Sequence, residues 1–195
     1  MQTHWVDSVR YAGGVTTPVP VMRRETLVDL VNGWGSQPRA EAGEAQQAYP
    51  PLSDLLARGG LPDQVAAAVT DADLRRVADL VYPVFTATEA TERASRVTDL
   101  LASVGVRPAL RADGGAIQPA WLIADSRDAL LAGAATALHA QLVDHTPDRL
   151  GTCSGHRCAD VYIDASPAGD RRFCSVTCQT RTRVAAFRGR KATAR

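Results

Sequence analysis

The sequence predicts a mainly α protein: a helical body that carries a small β-hairpin, followed by a short cysteine-bearing module. Three observations lead there. Alanine, leucine and glycine are plentiful while aromatics make up 5% of the 195 residues, a composition suited to helices packed closely through small side chains. Apolar residues recur at helical spacing through much of the first 148 positions. All four cysteines fall between Cys153 and Cys178.

Taken in chain order, residues 1–22 contain Gly13-Gly14 and Pro18-Val19-Pro20 but little periodic pattern, which predicts an extended arm or short strand. Leu27, Val28, Leu30, Val31 and Trp34 then form a helical apolar face, with Asn32-Gly33 as its expected C-terminal cap. Ser36 to Pro51 reads as a loop. Ser53 is placed to cap a short helix running to Arg58 and stopped by Gly59-Gly60, and Pro62 to open the next.

Thr70 to Asp73 and Thr86 to Glu89 both have the form of a capping box, a hydroxyl followed three residues later by an acid. They predict helices over about 71–85 and 87–104. Leu74, Val77, Leu80, Val81 and Val84 line the first, and Ala94, Val97, Leu100, Leu101 and Val104 the second. Between Arg107 and Ala124, two apolar runs flank Asp113-Gly114-Gly115, a hairpin signal, and Pro119 argues for an edge strand or bulge. Ser126 is the expected cap of a helix carrying Leu130, Leu131, Ala134, Leu138 and Leu142.

The net charge of +1 conceals a division. Residues 151–195 carry nine Lys or Arg against three acids, so residues 1–150 carry 13 against 18, a basic tail on an acidic body. Such a tail is suited to a polyanion. No window approaches the ~18 apolar residues needed to cross a bilayer, and the N-terminus lacks a signal-peptide pattern, which predicts a cytoplasmic protein without a membrane partner. The body shows no phosphate-binding glycine loop, nucleophile elbow or paired metal-spaced histidines; His4, His139 and His145 stand alone. No catalysis is expected.

In a reducing compartment, clustered cysteines are metal ligands more often than disulfides. Cys153 and Cys158, then Cys174 and Cys178, form two close pairs separated by fifteen residues, which suits four thiolates around one Zn(II). Four sulfurs close the shell, so the ion is expected to be structural. His156 is a less favoured substitute ligand, and an iron–sulfur site or free thiols are the less favoured alternatives to zinc. Gly155 permits a turn between the first pair, and Pro167 to Gly169 suits the reversal of a hairpin with arms Val161–Ile163 and Arg171–Phe173. A helix from Ser175 to about Gly189 follows. Val176, Thr180, Val184 and Phe187 share one stripe, expected to pack on the metal loop; Arg181 and Arg188 lie on one flank and Arg183 and Arg190 on the other. The opposite face, with Thr182, Ala185, Ala186 and Gly189, is expected to approach nucleic acid, with Arg171 and Arg172 adding phosphate contacts.

These residues resemble the CGNR zinc-finger family of bacterial transcriptional regulators, which carry an N-terminal helical stress-response domain called ABATE. The resemblance rests on CSGHRC, IDAS (Ile163 to Ser166), RRFC (Arg171 to Cys174) and CQTR (Cys178 to Arg181), and on LVDLVNGW (Leu27 to Trp34) in the body. Gln179-Thr180 stands where the family has Gly-Asn, and Phe173 replaces its usual tryptophan. The resemblance implies two domains, 1–148 as an ABATE-like sensor and 149–195 as a zinc finger of ββα-like form. It also implies zinc-dependent duplex-DNA binding in transcription regulation, with the protein on the nucleoid when bound and a possible small-molecule effector in the first domain; the small contact area of a single finger suits a homodimer. The alternatives are a zinc-stabilised protein- or RNA-interaction module, and a ligand-binding stress-response protein that makes no DNA contact.

Overall fold

A computed structural model of the chain describes residues 9–11, 14–57 and 63–193. It is mainly α, as expected, with two small sheets. The N-terminal arm forms strands β1 (Val9–Tyr11) and β2 (Gly14–Pro18). Helix α1 (Arg24–Trp34) is followed by α2 (Ser36–Ala42), α3 (Leu52–Ala57) and α4 (Asp63–Ala68). Next come α5 (Asp71–Thr86), α6 (Ala90–Ser103), the hairpin β3 (Arg107–Asp113) and β4 (Ala116–Ile123), and α7 (Ala129–Asp144). The tail consists of β5 (Leu150–Thr152), β6 (Val161–Ile163) and α8 (Val176–Thr193).

The core lies among α1, α5, α6 and α7, where Leu27, Leu30, Leu74, Val77, Val81, Phe85 and Leu138 are fully buried. Each such side chain contributes about 1.5–3 kcal/mol through removal from water. Helix α7 has apolar or small residues on nearly every face and is buried over Ala129 to Thr136, while Ala140 and Val143 in its last turns are exposed. Leu150, Val161 and Ile163 of the tail belong to the same hydrophobic cluster. The first sheet has the order β1-β2-β4-β3. Gly114 and Gly115, with φ of 57° and 86°, make the two-residue turn between β3 and β4 that Asp113-Gly-Gly announces. Pro119 lies on an interior strand, but beyond Leu122 and Ile123, where β4 meets β2.

Several local expectations are corrected. Helix α1 continues through Gly33 to Trp34 instead of capping at Asn32-Gly33. The expected loop after it contains α2, held by one partner distant in sequence and by a set of nearby carbonyls. Ser36 donates to the Asp79 carboxylate through both its N–H and its hydroxyl, at 2.7 and 2.6 Å. Buried Arg39 donates to the carbonyls of Gly33, Glu44, Gln47 and Ala48 and lies 4.2 Å over the Tyr49 ring.

Thr70 and Asp73 form the expected capping box, each side chain bonding to the other residue's backbone N–H. Thr86 does not: it ends α5, its hydroxyl donates to the Pro83 carbonyl, and α6 starts at Ala90. Leu80 and Ala94 are exposed, not lining residues. Ser53 lies within α3, and Asp125, not Ser126, accepts the capping N–H before α7. Arg58, Gly59-Gly60, Pro62 and His4 lie outside the described residues.

Candidate metal centre and basic helix

The tail begins by folding back on itself. Asp164 N–H donates to the Arg149 carbonyl at 2.7 Å and Cys153 N–H to the Asp160 carbonyl at 2.8 Å, framing the antiparallel pairing of β5 with β6. This corrects the expected hairpin, in which β6 was paired with Arg171–Phe173. The cause is the turn from Cys153 to Cys158, where Arg157 adopts a left-handed φ of 54° and returns the chain beside β5. Residues 171–173 instead cross the turn through isolated bonds. Ser154 N–H donates to the Arg172 carbonyl at 2.8 Å and the Tyr162 hydroxyl to the Arg171 carbonyl at 2.6 Å.

The loop between β6 and Arg171 is organised by Asp164, which is only 4% exposed. Its carboxylate accepts from the N–H groups of Ser166 at 2.8 Å and Arg171 at 2.9 Å. Burial opposes its ionisation, yet these bonds and the nearby Arg149 guanidinium hold the carboxyl below its usual range. Arg149 also donates to the Ser166 carbonyl, tying the loop to the start of β5.

Four sulfurs converge at the end of this framework. The Sγ atoms of Cys153, Cys158, Cys174 and Cys178 all lie within 4.8 Å of one another, with Cys158 and Cys174 3.7 Å apart. A tetrahedral ion with Zn–S bonds of ~2.3 Å requires S···S edges of about 3.8 Å. The donor set therefore fits one structural zinc, and the four cysteines are clustered to hold it. His156 is exposed and is not a member of the cluster.

Gly155 is required by close approach: a Cβ there would stand 2.7 Å from Cys178 Sγ and 3.1 Å from Cys153 Sγ. Its N–H points at Cys153 Sγ at 3.3 Å. Burial opposes ionisation of the Cys153 thiol, but the N–H groups of Cys174 and Gly155 outweigh it and hold the pKa below the ordinary thiol value. Burial pushes Cys158 up to about 12, and burial with the Asp160 carboxylate also raises Cys174. A bound divalent ion supplies the charge that displaces the protons these two raised thiols favour.

Helix α8 starts from the cluster. The Ser175 hydroxyl accepts from Cys178 N–H at 3.2 Å, the expected cap, and the helix continues past Gly189 to Thr193. Its orientation reverses the expectation. Cys178 is buried, Gln179 and Thr182 are half-buried, and the Thr182 hydroxyl meets the His156 N–H at 3.4 Å, so this face seats on the cysteine turn. Val176, Thr180 and Val184 face solvent, Val176 being 77% and Val184 42% exposed. Anchoring through a sulfur ligand, not through the apolar stripe, explains the reversal. Beyond Thr182 the described residues Arg183 to Ala186 are all exposed, so the helix projects from its seat.

The arginines divide by what they touch. Arg181 donates to Cys178 Sγ at 3.0 Å and so offsets thiolate charge. Arg171 donates to the carbonyls of Phe173 and Cys174 and lies 5.3 Å from the Tyr162 ring centroid. Arg172 and Arg183 are exposed and line an open groove of about 560 Å³ with Phe173, Val176 and Gln179. The side chains of Arg188 and Arg190, like that of Phe187, lie outside the described residues.

One residue that sequence reasoning passed over joins body and tail. The Asn32 side chain accepts from Val161 N–H at 2.7 Å and donates to the Val161 carbonyl at 3.1 Å, pairing with β6 as a further strand would. Its signal was its place in LVDLVNGW. The Tyr82 hydroxyl adds a bond to the Ala159 carbonyl at 3.2 Å.

Among known proteins, residues 149–191 match the family model of the CGNR zinc finger. No curated protein matches the chain significantly. Among the described residues, no helix is long and apolar enough to cross a membrane.

Proposed function

We propose, with the CGNR zinc finger at residues 149–191 as premise, that this is a zinc-dependent transcriptional regulator whose helix α8 contacts duplex DNA. In this reading β5, β6 and α8 act as a ββα-like module. The observation that carries it is the helix itself: α8 is seated on the cysteine cluster by its first turns, projects beyond Thr182, and contains five basic residues and no acid. An arm of this kind suits phosphates and base edges, whereas an internal helix would bury one side throughout.

Arg172 and Arg183 are the phosphate-binding side chains of the groove, continued along the helix by Arg188 and Arg190. Arg171 and Arg181 position the loop and the zinc ligand. The division at 148/149 is then one of role, with a sensing body and a DNA-binding tail. An effector has a candidate place in the cleft of about 400 Å³ between α1 and the finger, lined by Arg24, Asp29, Asn32, Tyr162 and Arg171 among others. The protein acts by binding, not catalysis, in the cytoplasm and on the nucleoid, and as a dimer, because one small finger covers little of a specific site.

The test is retention of duplex DNA by the zinc-loaded protein. Chelation, or replacement of all four cysteines by serine, should abolish it, and Arg183→Ala should reduce the slope of log affinity against log salt by about 1. Retention unaffected by both zinc removal and cysteine replacement would sink the reading. Preferential competition by structured RNA would favour the RNA-binding alternative.

A further inference from the structure

The exposed ridge of α8 has a composition that phosphate binding does not use. Val176, Thr180 and Val184 recur every four residues on the side facing away from the cysteine turn, the valines presenting paired methyl groups and Thr180 one methyl beside its hydroxyl. A surface helix in water ordinarily places polar groups there. Phe187, three residues further on, falls on the same stripe by helical period, though its side chain lies outside the described residues. Arg183 and Arg172 stand beside the ridge, and no acid occurs anywhere along the helix. An apolar protein partner would suit the methyl groups alone. The surrounding positive charge selects a polyanion that itself displays apolar groups.

Duplex DNA has one such feature, the 5-methyl group of thymine, which projects into the major groove beside the O4 acceptor. An α-helix fits that groove, and flanking arginines then reach phosphates on its walls. We propose that the Val176–Thr180–Val184 ridge is the base-reading surface of α8, and that it selects sites rich in 5-methylpyrimidines, principally thymine. This rests on the proposed contact of α8 with DNA and specifies its chemistry. It also moves the reading surface from the small-residue face to the opposite side of the helix.

The experiment uses the full-length zinc-loaded protein and duplexes of equal length: alternating A·T, the same with uracil replacing thymine, alternating G·C, and G·C with 5-methylcytosine. Fluorescence anisotropy gives each affinity at one salt concentration. Removing a covered methyl should weaken binding about fourfold per group, as expected for one buried methyl. The A·T duplex should therefore bind several-fold tighter than the uracil duplex, and methylated G·C tighter than unmethylated. Val176→Ala and Val184→Ala should each narrow both differences; these side chains are exposed, and the uracil comparison needs no change in the protein.

Equal affinity for thymine and uracil duplexes, with both still weakened by Arg183→Ala, overturns the methyl-reading inference and leaves DNA contact standing. Failure of the zinc-loaded protein to bind any duplex overturns both.

Discussion

Replacing Asn32 by alanine isolates the junction between α1 and β6. Val161 is fully buried, and its N–H and carbonyl point to the side of β6 that β5 does not occupy, where the Asn32 amide satisfies both. Truncation leaves two buried polar groups without partners, each costing about 1–3 kcal/mol. The expected loss is therefore about 2–6 kcal/mol, a large part of the 5–15 kcal/mol typical of a folded domain. A loss of about 3 kcal/mol corresponds to about 6–12 °C in Tm for a chain of this size. Equilibrium denaturation of the zinc-loaded protein measures it, and Asn32→Asp should also be destabilised: a carboxylate still accepts from Val161 N–H but sets an oxygen against its carbonyl. An Asn32→Ala protein within about 0.5 kcal/mol of the parent, a range ordinary for surface substitutions, would refute the reasoning.

Gly155→Ala should weaken zinc binding by about 10- to 100-fold, as changes just outside a ligand shell do, because the added Cβ falls 2.7 Å from Cys178 Sγ. Competition with a chromophoric chelator reads this, and an unchanged affinity would show that the turn yields freely. Thr70→Ala should cost about 1 kcal/mol through loss of the α5 cap. The Thr70 hydroxyl and N–H hold the Asp73 carboxyl below its usual range. The stability difference between the parent and Asp73→Asn should therefore be present above the unfolded carboxyl pKa of about 3.9 and disappear as pH falls through the lower folded value. A pH-independent difference contradicts that linkage.

Features fixed by neighbours in sequence were legible in advance. The Thr70 box needs only residues 70–73, the β3–β4 turn only Gly114 and Gly115, and the four cysteines declare their convergence by spacing. Features fixed at a distance were not. Helix α2 depends on Asp79, more than forty positions away. The strand partner of β6 was misjudged because local turn chemistry favoured residues 171–173, whereas the turn through Arg157 brings β5 back first. For α8, periodicity defined two faces correctly but could not say which one the sulfur ligand would pull inward.

The seating of α8 also sets a mechanical scale. From Thr182, its last described contact with the cysteine turn, to Thr193 the helix extends about 16 Å at 1.5 Å per residue, so a 10° tilt at its root moves the tip about 3 Å. That is close to the rise of one base pair. In the proposed contact of α8 with DNA, small changes in how the finger rests on α1 and α5 would shift the far end by about one base-pair step.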